Sequence, residues 1–382
     1  MSLNTAQVLE TLEKMDLLDL GEQGMWPGEP EGYDVCEIDW AAATGQLDGD
    51  NNSDFLDQES AARWSSVADE LERRARQGQR FPSANVLDVL AWYQPIHFFG
   101  PEWGIYIKED AVLCLAASIW SSLDSGRQYQ PDAARGSVGA ALIVLYLHEA
   151  FHHKVECFAI RLETVERSRR YLPYQREVYG PLRLTTDHLE EGLACAQMIT
   201  RLNEPTYRRW LPDDVHGATL EMLHKWIPTL PHGYDQGIMF SDSGAYERAR
   251  NRLSSQVHEA EIHPIRNDSE WSLMPNAFRG FFNWRTVANV LVPRGSRPLV
   301  SWFDQPSSRL SVSTRKLVKM VRSEGYKLVP GGKGSHRKYK ASGRPMVIIP
   351  EGRESLSVRV LKTTAEALGY QSVRQLVVSL GS

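Results

Sequence analysis

The chain has 382 residues, more than one ordinary domain, which predicts two or three units. Hydrophobic residues make up 42% and charged residues 24%, a composition that excludes a disordered or fibrous protein. The first residues lack the basic start and apolar run of a signal peptide, and no apolar run is long enough to span a bilayer. The four cysteines form no CxxC pair. We therefore expect a cytoplasmic protein with no membrane partner.

The net charge of −5 conceals opposite charges at the two ends of the chain. Residues 1–60 carry 15 Asp or Glu and one Lys, whereas residues 308–382 carry 15 Lys or Arg and four Glu. A basic end of this kind is typical of a segment that binds nucleic acid. Two interpretations of the acidic end stay open: a solvated extension, or a segment that shields the basic end.

The first half of the chain predicts an extension followed by helices and one strand. Residues 1–55 mix short helical patterns with Gly, Pro and Asp clusters, which indicates an acidic, partly ordered extension. Residues 58–77 have helical spacing without Gly or Pro interruptions before Gly78. Alternating apolar and polar residues then predict a strand over Trp103–Lys108, followed by a helix from Glu109 to about Leu123.

The middle of the chain combines a long helical pattern with stretches that favour loops. Gly and Pro in residues 124–137 predict a loop before a long helical pattern over residues 139–171. Another helix is predicted from Asp187. Residues 225–304 are rich in Pro, Gly and Trp, and they predict loops, short strands and one helix near residues 247–261.

The segment HEAFHH within the long helical pattern is a candidate metal site. His148 and His152 are four residues apart and therefore lie on one face of a helix, with Glu149 about a quarter turn away. Two imidazoles can hold zinc, and a neighbouring carboxylate can take a proton from water whose pKa the metal lowers toward 7. A pair of structural histidines in the core gives the same pattern, so a second motif is needed.

A second motif, EEGLACA, supplies the third ligand that a catalytic zinc requires. Its small residues, among them Gly192, predict that two helices approach closely. With HExxH it resembles the gluzincin metallopeptidases, which include thermolysin-like and aminopeptidase-like enzymes, over about residues 90–200. The resemblance implies that His148, His152 and Glu191 bind zinc and that Glu149 is catalytic. It also implies a protein or peptide substrate.

The resemblance leaves several roles open. Glu190 is either a neighbour of the ligands or exchanges roles with Glu191, and His153 and Glu156 are expected to support the site or form salt bridges. Gluzincins use a Tyr or His to stabilise the oxyanion of the transition state. The candidates for that donor here are Tyr171, Tyr174, Tyr179, His232 and Tyr234.

His97 lies just before the strand predicted over Trp103–Lys108. We expect this histidine to be structural and not a metal ligand. The strand is expected to lie at the edge of a sheet beside the metal helix, where peptidases often bind an extended substrate through backbone pairing.

The C-terminal residues 312–382 predict a second unit after a linker at residues 304–311. The expected order is a helix with Ser313 as its cap, three strands and a closing helix. The stretch KLVKMVRSEGYKLVPGGKGSHRKYK resembles the HicA toxin family over about residues 310–370. Members of that family are small, double-stranded-RNA-binding-like ribonucleases of toxin-antitoxin systems. The tripeptide Gly334–His336 matches their signature.

The HicA resemblance implies a metal-independent endoribonuclease centred on His336, as general acid or base at an RNA ribose hydroxyl. The residues expected to neutralise phosphates are Lys333, Arg337, Lys338 and Lys340. Many members carry a second histidine after the third strand, where this chain has PEGRE at residues 350–354. Two interpretations therefore stay open: an active ribonuclease, or a module that binds RNA or a protein partner.

The combined prediction is an α+β chain. A mainly helical, zincin-like metallopeptidase domain over residues 56–303 precedes a small α-β-β-β-α, double-stranded-RNA-binding-like domain. We expect a zinc-dependent peptidase that carries an RNA-binding or RNA-cleaving domain, acting as a conditional toxin or phage-defence effector with an antitoxin or regulatory protein as a further partner. The alternatives are a ribonuclease toxin with a regulatory peptidase-like part, an RNA-binding adaptor, and a scaffold whose zinc site is not hydrolytic.

Overall fold

A computed structural model describes residues 5–20, 32–37, 58–77, 90–262, 288–300, 312–330, 336–350, 355–356, 358–370 and 373–381. Within these ranges the chain is mixed α and β, mainly helical with small sheets, as the sequence predicts at this coarse level. None of the helices in the described ranges combines the length and apolar character needed to cross a membrane. The predicted linker at residues 304–311 lies outside the described residues.

The regular elements alternate between long helices and short strands. The α-helices are α1 Thr5–Lys14, α2 Gln58–Arg76, α3 Ile96–Phe99, α4 Glu109–Ser121, α5 Ser125–Gln128, α6 Pro131–Glu166, α7 Tyr171–Pro173, α8 Gly180–Leu182, α9 Leu189–Leu202, α10 Pro205–Arg208, α11 Asp213–Trp226, α12 Gly237–Phe240, α13 Ser243–Glu259, α14 Thr314–Ser323, α15 Val358–Leu368 and α16 Val373–Gly381. The strands are β1 Tyr33–Glu37, β2 Ala91–Gln94, β3 Gly104–Lys108, β4 Ala288–Pro293, β5 Val312–Ser313, β6 Lys327–Val329, β7 His336–Lys340, β8 Val347–Pro350 and β9 Ser355–Leu356. A π-helix spans Tyr174–Tyr179, and 3-10 turns span Gly100–Glu102, Ile227–Thr229 and Tyr234–Gln236.

The larger sheet has the strand order β1-β4-β3-β2. β3 pairs parallel with β4, and the other two pairs are antiparallel. The strand predicted over Trp103–Lys108 is β3, but its predicted edge position is wrong, because β2 and β4 flank it. Its partner β4 follows it by some 180 residues, so alternation within one segment could not reveal the pairing. β2 lies at the edge of the described sheet and packs against α6.

The long helix α6 is the central element and spans 36 residues. Residues Ala140–Leu147 are buried on every side, which explains why this stretch is apolar all round and not amphipathic. The loop predicted over residues 124–137 is wrong in part, because α6 already begins at Pro131. Proline is tolerated there because the first turn of a helix does not use its backbone N–H groups.

The region predicted as an acidic extension, residues 1–55, contributes two packed elements. β1 pairs along its length with β4 in the larger sheet. α1 buries Leu9 and Leu12 in the large core that surrounds α6, and it buries Ala6 in the core of the C-terminal residues. α1 therefore joins two hydrophobic cores.

The described residues from 312 to 381, called the C-terminal module below, contain the predicted order of a helix, three strands and a helix. Their sheet has the order β6-β7-β8, and α14 and α15 pack against β8. Ser313 precedes α14, but its side chain forms no capping hydrogen bond, contrary to the prediction. The short pair β5–β9 and the final helix α16 were not predicted.

Candidate metal centre

Two packed helices bring the predicted metal ligands together. His148 and His152 lie one turn apart on α6, and Glu191 lies in the first turn of α9, which packs along α6. The side chains of His148 and Glu191 are fully buried, and the side chain of His152 is 11% exposed. The predicted ligand set therefore forms one cluster in the interior.

The three candidate ligand atoms form a nearly equilateral triangle. Nε2 of His148 lies 3.1 Å from Oε2 of Glu191, and Nε2 of His152 lies 3.5 Å from the same oxygen. The two Nε2 atoms are 3.4 Å apart. Ligand atoms 2.0–2.2 Å from a tetrahedral ion are separated by about 3.3–3.6 Å. The triangle is therefore close to the size that a tetrahedrally coordinated metal ion requires.

The carboxylate of Glu191 uses its two oxygens differently. Oε1 accepts a hydrogen bond of 2.5 Å from the hydroxyl of Tyr179. Oε2 is buried and accepts no hydrogen bond of normal geometry from any described residue, although it faces both imidazoles. A buried carboxylate oxygen without a donor is costly, and a cation among the three atoms would satisfy it. The cluster could therefore hold a metal ion.

Glu190 orients His152 and does not itself face the centre of the cluster. Its Oε1 atom lies 2.6 Å from Nδ1 of His152, and its Oε2 atom accepts a hydrogen bond from the hydroxyl of Tyr174. With Nδ1 as the donor, Nε2 of His152 is the free ligand atom. This geometry favours Glu191 over Glu190 as the ligand and places Glu190 as its neighbour.

The imidazoles and carboxylates of the cluster shift one another's pKa values in the directions that favour their charged forms. Burial alone lowers the pKa of His152, but the carboxylates of Glu191 and Glu190 outweigh burial and raise that pKa well above its usual range. Burial alone raises the pKa of Glu191, but His152 and His148 outweigh it and hold that pKa well below its usual range. The cluster thus holds an ionised carboxylate against imidazoles in the interior.

Glu149, the predicted catalytic carboxylate, follows His148 on α6 and is 3% exposed. Its position in the helix is a quarter turn from the ligand stripe. Tyr234 stacks on His148, with ring centroids 6.0 Å apart. Glu149 and Tyr234 thus each adjoin His148, the first along the helix and the second through its ring.

Gly192, in the EEGLACA motif, has no room for a side chain because of Phe240 and Gly233, and not because of α6 as the sequence predicted. A Cβ atom there would lie 2.7 Å from the ring of Phe240 and 2.9 Å from the carbonyl oxygen of Gly233. The small residue thus permits the approach of α12 and the loop before Tyr234, whereas the sequence indicated an approach between the two ligand helices. The glycine fixes the start of α9, where Glu191 lies.

A buried polar network continues along α6 beyond the ligands. Nδ1 of His97 lies 2.7 Å from Glu156, and Nε2 lies 2.9 Å from Glu163. Burial alone lowers the pKa of His97, but the two carboxylates outweigh burial and raise it to about 10. His153 lies 2.8 Å from the hydroxyl of Tyr93. His97 is thus a buried cation that ties α3 to α6, in keeping with the expected structural role.

The five candidates for the oxyanion donor lie in different surroundings. Tyr171 and Tyr174 are fully buried, and Tyr174 is bonded to Glu190. His232 is 70% exposed and pairs with Asp235. Tyr179 is half-buried and contacts Glu191, and Tyr234 stacks on His148, so these two lie against the candidate ligands.

The residues predicted to act on RNA are only partly accessible. His336 is 5% exposed, and its Nε2 atom lies 3.7 Å from a carboxylate oxygen of Glu102. Lys338, predicted to bind phosphate, is 8% exposed and forms an ion pair with Glu13. In this arrangement Lys338 faces a carboxylate, and its predicted contact with phosphate stays a prediction. The expected contacts Arg337 and Lys340 are exposed, whereas Lys333, Gly334 and Ser335 lie outside the described residues.

Sequence reasoning did not identify the partners of the ligands. The contacts from Tyr174 to Glu190 and from Tyr179 to Glu191 join a π-helix to the start of α9. The sequence indicated these tyrosines only as candidate oxyanion donors, because no spacing rule links a hydroxyl to a carboxylate 12 or 16 residues away. Their positions between the two metal motifs were the one available signal.

Comparisons with protein families, with curated proteins and with solved structures find no match to this chain. Among the described residues, His148, His152 and Glu191 form the group of potential ligands whose atoms lie within 4.8 Å of one another.

Proposed function

We propose that this chain is a zinc-dependent peptidase with its active site at His148, His152 and Glu191. The observation that carries the proposal is the buried Oε2 atom of Glu191, which has no hydrogen bond of normal geometry and faces two imidazole nitrogens at 3.1 and 3.5 Å. Two nitrogens and one carboxylate oxygen suit zinc, and three protein ligands leave the open position that catalysis needs. A zinc ion bound there would lower the pKa of water and polarise a carbonyl group.

The protein groups have separate roles in this proposal. Glu149 accepts the proton of the attacking water and passes it to the leaving amine. Glu190 fixes the ring of His152 through Nδ1, and Tyr179 fixes the carboxylate of Glu191 through Oε1. Tyr234, which stacks on His148, is the candidate for the donor to the oxyanion, because the hydroxyl of Tyr179 donates its one proton to Glu191.

Support for a peptide substrate comes from the combination of the two motifs with this geometry. HExxH lies on one helix, and the glutamate of EEGLA lies on a second helix packed against it, as the resemblance to gluzincins implies. Non-hydrolytic roles, such as a zinc-stabilised scaffold or an adaptor, share the ligands but have no use for a carboxylate at position 149. The behaviour of Glu149 variants therefore separates these roles.

Metal analysis of the purified full-length chain tests the proposal. We expect about one zinc per chain from the three-ligand site, lost in His148→Ala. Hydrolysis of a defined mixture of peptides, followed by mass spectrometry, should depend on that zinc. A chain that contains no zinc at neutral pH after purification without chelators would contradict the proposal.

We further propose that the C-terminal module binds RNA, with cleavage through His336 as its possible reaction. The supporting observation is the order α14-β6-β7-β8-α15 with His336 on the middle strand, the arrangement that the HicA resemblance implies. The exposed face of α14 carries basic side chains that can contact phosphates, namely Arg315, Lys316, Lys319 and Arg322. A peptidase joined to such a module fits a conditional toxin or phage-defence effector.

Two variants separate binding from cleavage in the module. Arg337→Ala should weaken RNA binding and reduce its salt dependence, because it removes an exposed cation. His336→Ala should abolish any RNA cleavage and leave binding through the exposed cations in place. If cleavage persists in His336→Ala, the ribonuclease assignment is wrong. If no cleavage occurs in the parent chain, the binding role alone stands.

A further inference from the structure

One face of the C-terminal sheet is covered by the body of the protein. Lys338 on β7 lies opposite Ile348 on β8, and opposite residues of an antiparallel pair share a face. Ile348 and its neighbour on this face, Met346, belong to the large core around α6, whereas Val347 belongs to the core of the module. Strand β8 is therefore buried on both faces, and the face with His336 and Lys338 is turned toward the body.

α1 is the element that contacts the module at both of its ends. In its first turn, Ala6 is buried in the core of the module, and its backbone N–H faces the carboxylate of Glu366 on α15. In its last turn, Glu13 forms an ion pair with Lys338. Between these contacts Leu9 and Leu12 are buried in the large core. α1 thus holds the module against the body through polar contacts at its ends and an apolar stripe between them.

Two carboxylates face the two residues that the HicA resemblance assigns to RNA. Glu13 lies against Lys338, and Glu102 in the turn Gly100–Glu102 lies against His336. The contact between Glu102 and Nε2 of His336 is 3.7 Å, beyond hydrogen-bond length, and that nitrogen is buried with no hydrogen bond from a described residue. A buried imidazole nitrogen without a hydrogen-bond partner is unfavourable. The residues that cover this face therefore leave the hydrogen-bonding capacity of His336 unused.

We propose that the face of His336 and Lys338 is an RNA-binding surface, and that Glu13 of α1 together with Glu102 occupies the positions of two RNA phosphates. This inference rests on the proposed RNA-binding function and adds its regulation. The partner is RNA and not an acidic protein because two exposed lysines on this same face of the sheet, Lys340 and the opposite Lys327, continue its positive charge, as a nucleic-acid backbone requires. RNA can contact Lys338 only after α1 has moved away from the C-terminal module.

The experiment compares two charge reversals on the same helix of the full-length chain. Glu13→Lys removes the pair with Lys338 and places two cations together. Glu10→Lys is the matched control, because it changes the net charge equally and removes the pair with Lys14 within α1 while the pair between Glu13 and Lys338 stays in place. Any general electrostatic gain in RNA binding is therefore the same in both variants. Glu13→Gln is a milder second variant, and zinc content and circular dichroism verify that each chain is folded.

Two measurements are made on each variant. The first is the rate at which an amine-acylating reagent modifies Lys338 relative to the exposed Lys340 of the same strand, followed by mass spectrometry. The second is the affinity for a labelled, structured RNA of about 20 base pairs. We expect slow modification of Lys338 in the parent chain and in Glu10→Lys. In Glu13→Lys we expect faster modification and about tenfold tighter RNA binding than in the control, because a larger fraction of the chain is open.

The outcomes distinguish this inference from the proposed function. If Lys338 reacts as fast as Lys340 in the parent chain, the cover does not exist and the inference is wrong. If Lys338 becomes reactive in Glu13→Lys while the RNA affinity equals that of Glu10→Lys, the covered face is not the RNA-binding surface, and the inference is again wrong. If Lys338 is protected in the parent chain but no variant binds RNA, the proposed RNA-binding function fails with it, although the covering contact stands.

Discussion

His152 and Glu190 form a 2.6 Å contact between Nδ1 and Oε1, which leaves Nε2 of the imidazole facing the other candidate ligands. Glu190 in turn accepts a hydrogen bond from the buried hydroxyl of Tyr174. Such a chain fixes the tautomer and the ring orientation of a ligand before any metal binds. The two adjacent glutamates of EEGLACA therefore differ in role: one orients a ligand, and the other faces the centre of the cluster.

Substitution of Glu190 should weaken zinc binding without abolishing it. We expect Glu190→Gln to lower zinc affinity about 10- to 100-fold, as for other carboxylates that orient a ligand histidine. Competition with a chromophoric chelator measures this change. Glu177→Gln is the control, because Glu177 is exposed on the π-helix before α9. An unchanged affinity in Glu190→Gln would show that the contact with His152 is incidental.

Substitution of Glu149 should separate metal binding from hydrolysis. Glu149→Gln keeps the shape of the side chain but removes its basicity, so we expect full zinc content and a loss of peptide hydrolysis of about 10²- to 10⁴-fold. Metal analysis and peptide turnover are measured on the same preparation. Hydrolysis at the parent rate in a zinc-loaded Glu149→Gln chain would exclude Glu149 as the general base.

The glycine of EEGLACA should tolerate no side chain. In Gly192→Ala the new Cβ atom would lie 2.9 Å from the carbonyl oxygen of Gly233, a backbone atom that cannot rotate away. We expect destabilisation of about 1–3 kcal/mol from overpacking, with weaker zinc binding because Glu191 shifts with the helix. Denaturant unfolding measures the free energy of unfolding.

A second glycine supplies the matched control for this substitution. Gly217 lies inside α11, and a Cβ atom there would meet nothing within 4 Å. Gly217→Ala should therefore stabilise the chain by about 0.4–1 kcal/mol, because alanine loses less backbone entropy in a helix. Equal effects of the two substitutions would contradict the packing argument.

The buried pair of carboxylates around His97 should make stability depend on pH. The pKa of His97 is raised to about 10 in the folded chain, whereas an unfolded histidine has a pKa of about 6.5. The folded state therefore holds one more proton between these values, and stability falls as pH rises. This contribution is complete below pH of about 6.5 and is lost as pH passes through about 10.

The variant His97→Gln tests that dependence. We expect a loss of about 3–5 kcal/mol at neutral pH, because Glu156 and Glu163 keep their burial but lose the cation between them. The decline in stability between pH 7 and 10 should be smaller than in the parent chain. His224→Gln, an exposed histidine on α11, is the control and should change stability by less than about 0.5 kcal/mol. Parallel pH profiles for the parent and His97→Gln would refute the assignment.

Local sequence patterns predicted the elements that carry the site. Helical spacing indicated α2, α4 and the long helix with His148 and His152, and the order of patterns in the C-terminal residues matched α14, the three strands and α15. The motifs HExxH and EEGLA indicated the cluster that includes Glu191. The helices and strands depend on residues near one another in the chain, so period and spacing predict them, whereas Glu191 was indicated by the resemblance to gluzincins.

Tertiary structure alone decided how distant segments meet. No local pattern could place β3 between β2 and β4. The contacts of Tyr179 with Glu191 and of Glu13 with Lys338 were equally hidden, because the periodicity of a sequence reports only on residues within one helix or strand. Sequence alone indicated His148, His152 and Glu191 as candidate metal ligands, and it determined the opposite charges of the two ends. The fold decided which of the two glutamates faces the imidazoles. It also decided that His336 is buried, because the packing of whole surfaces against one another determines which side chains lose contact with solvent.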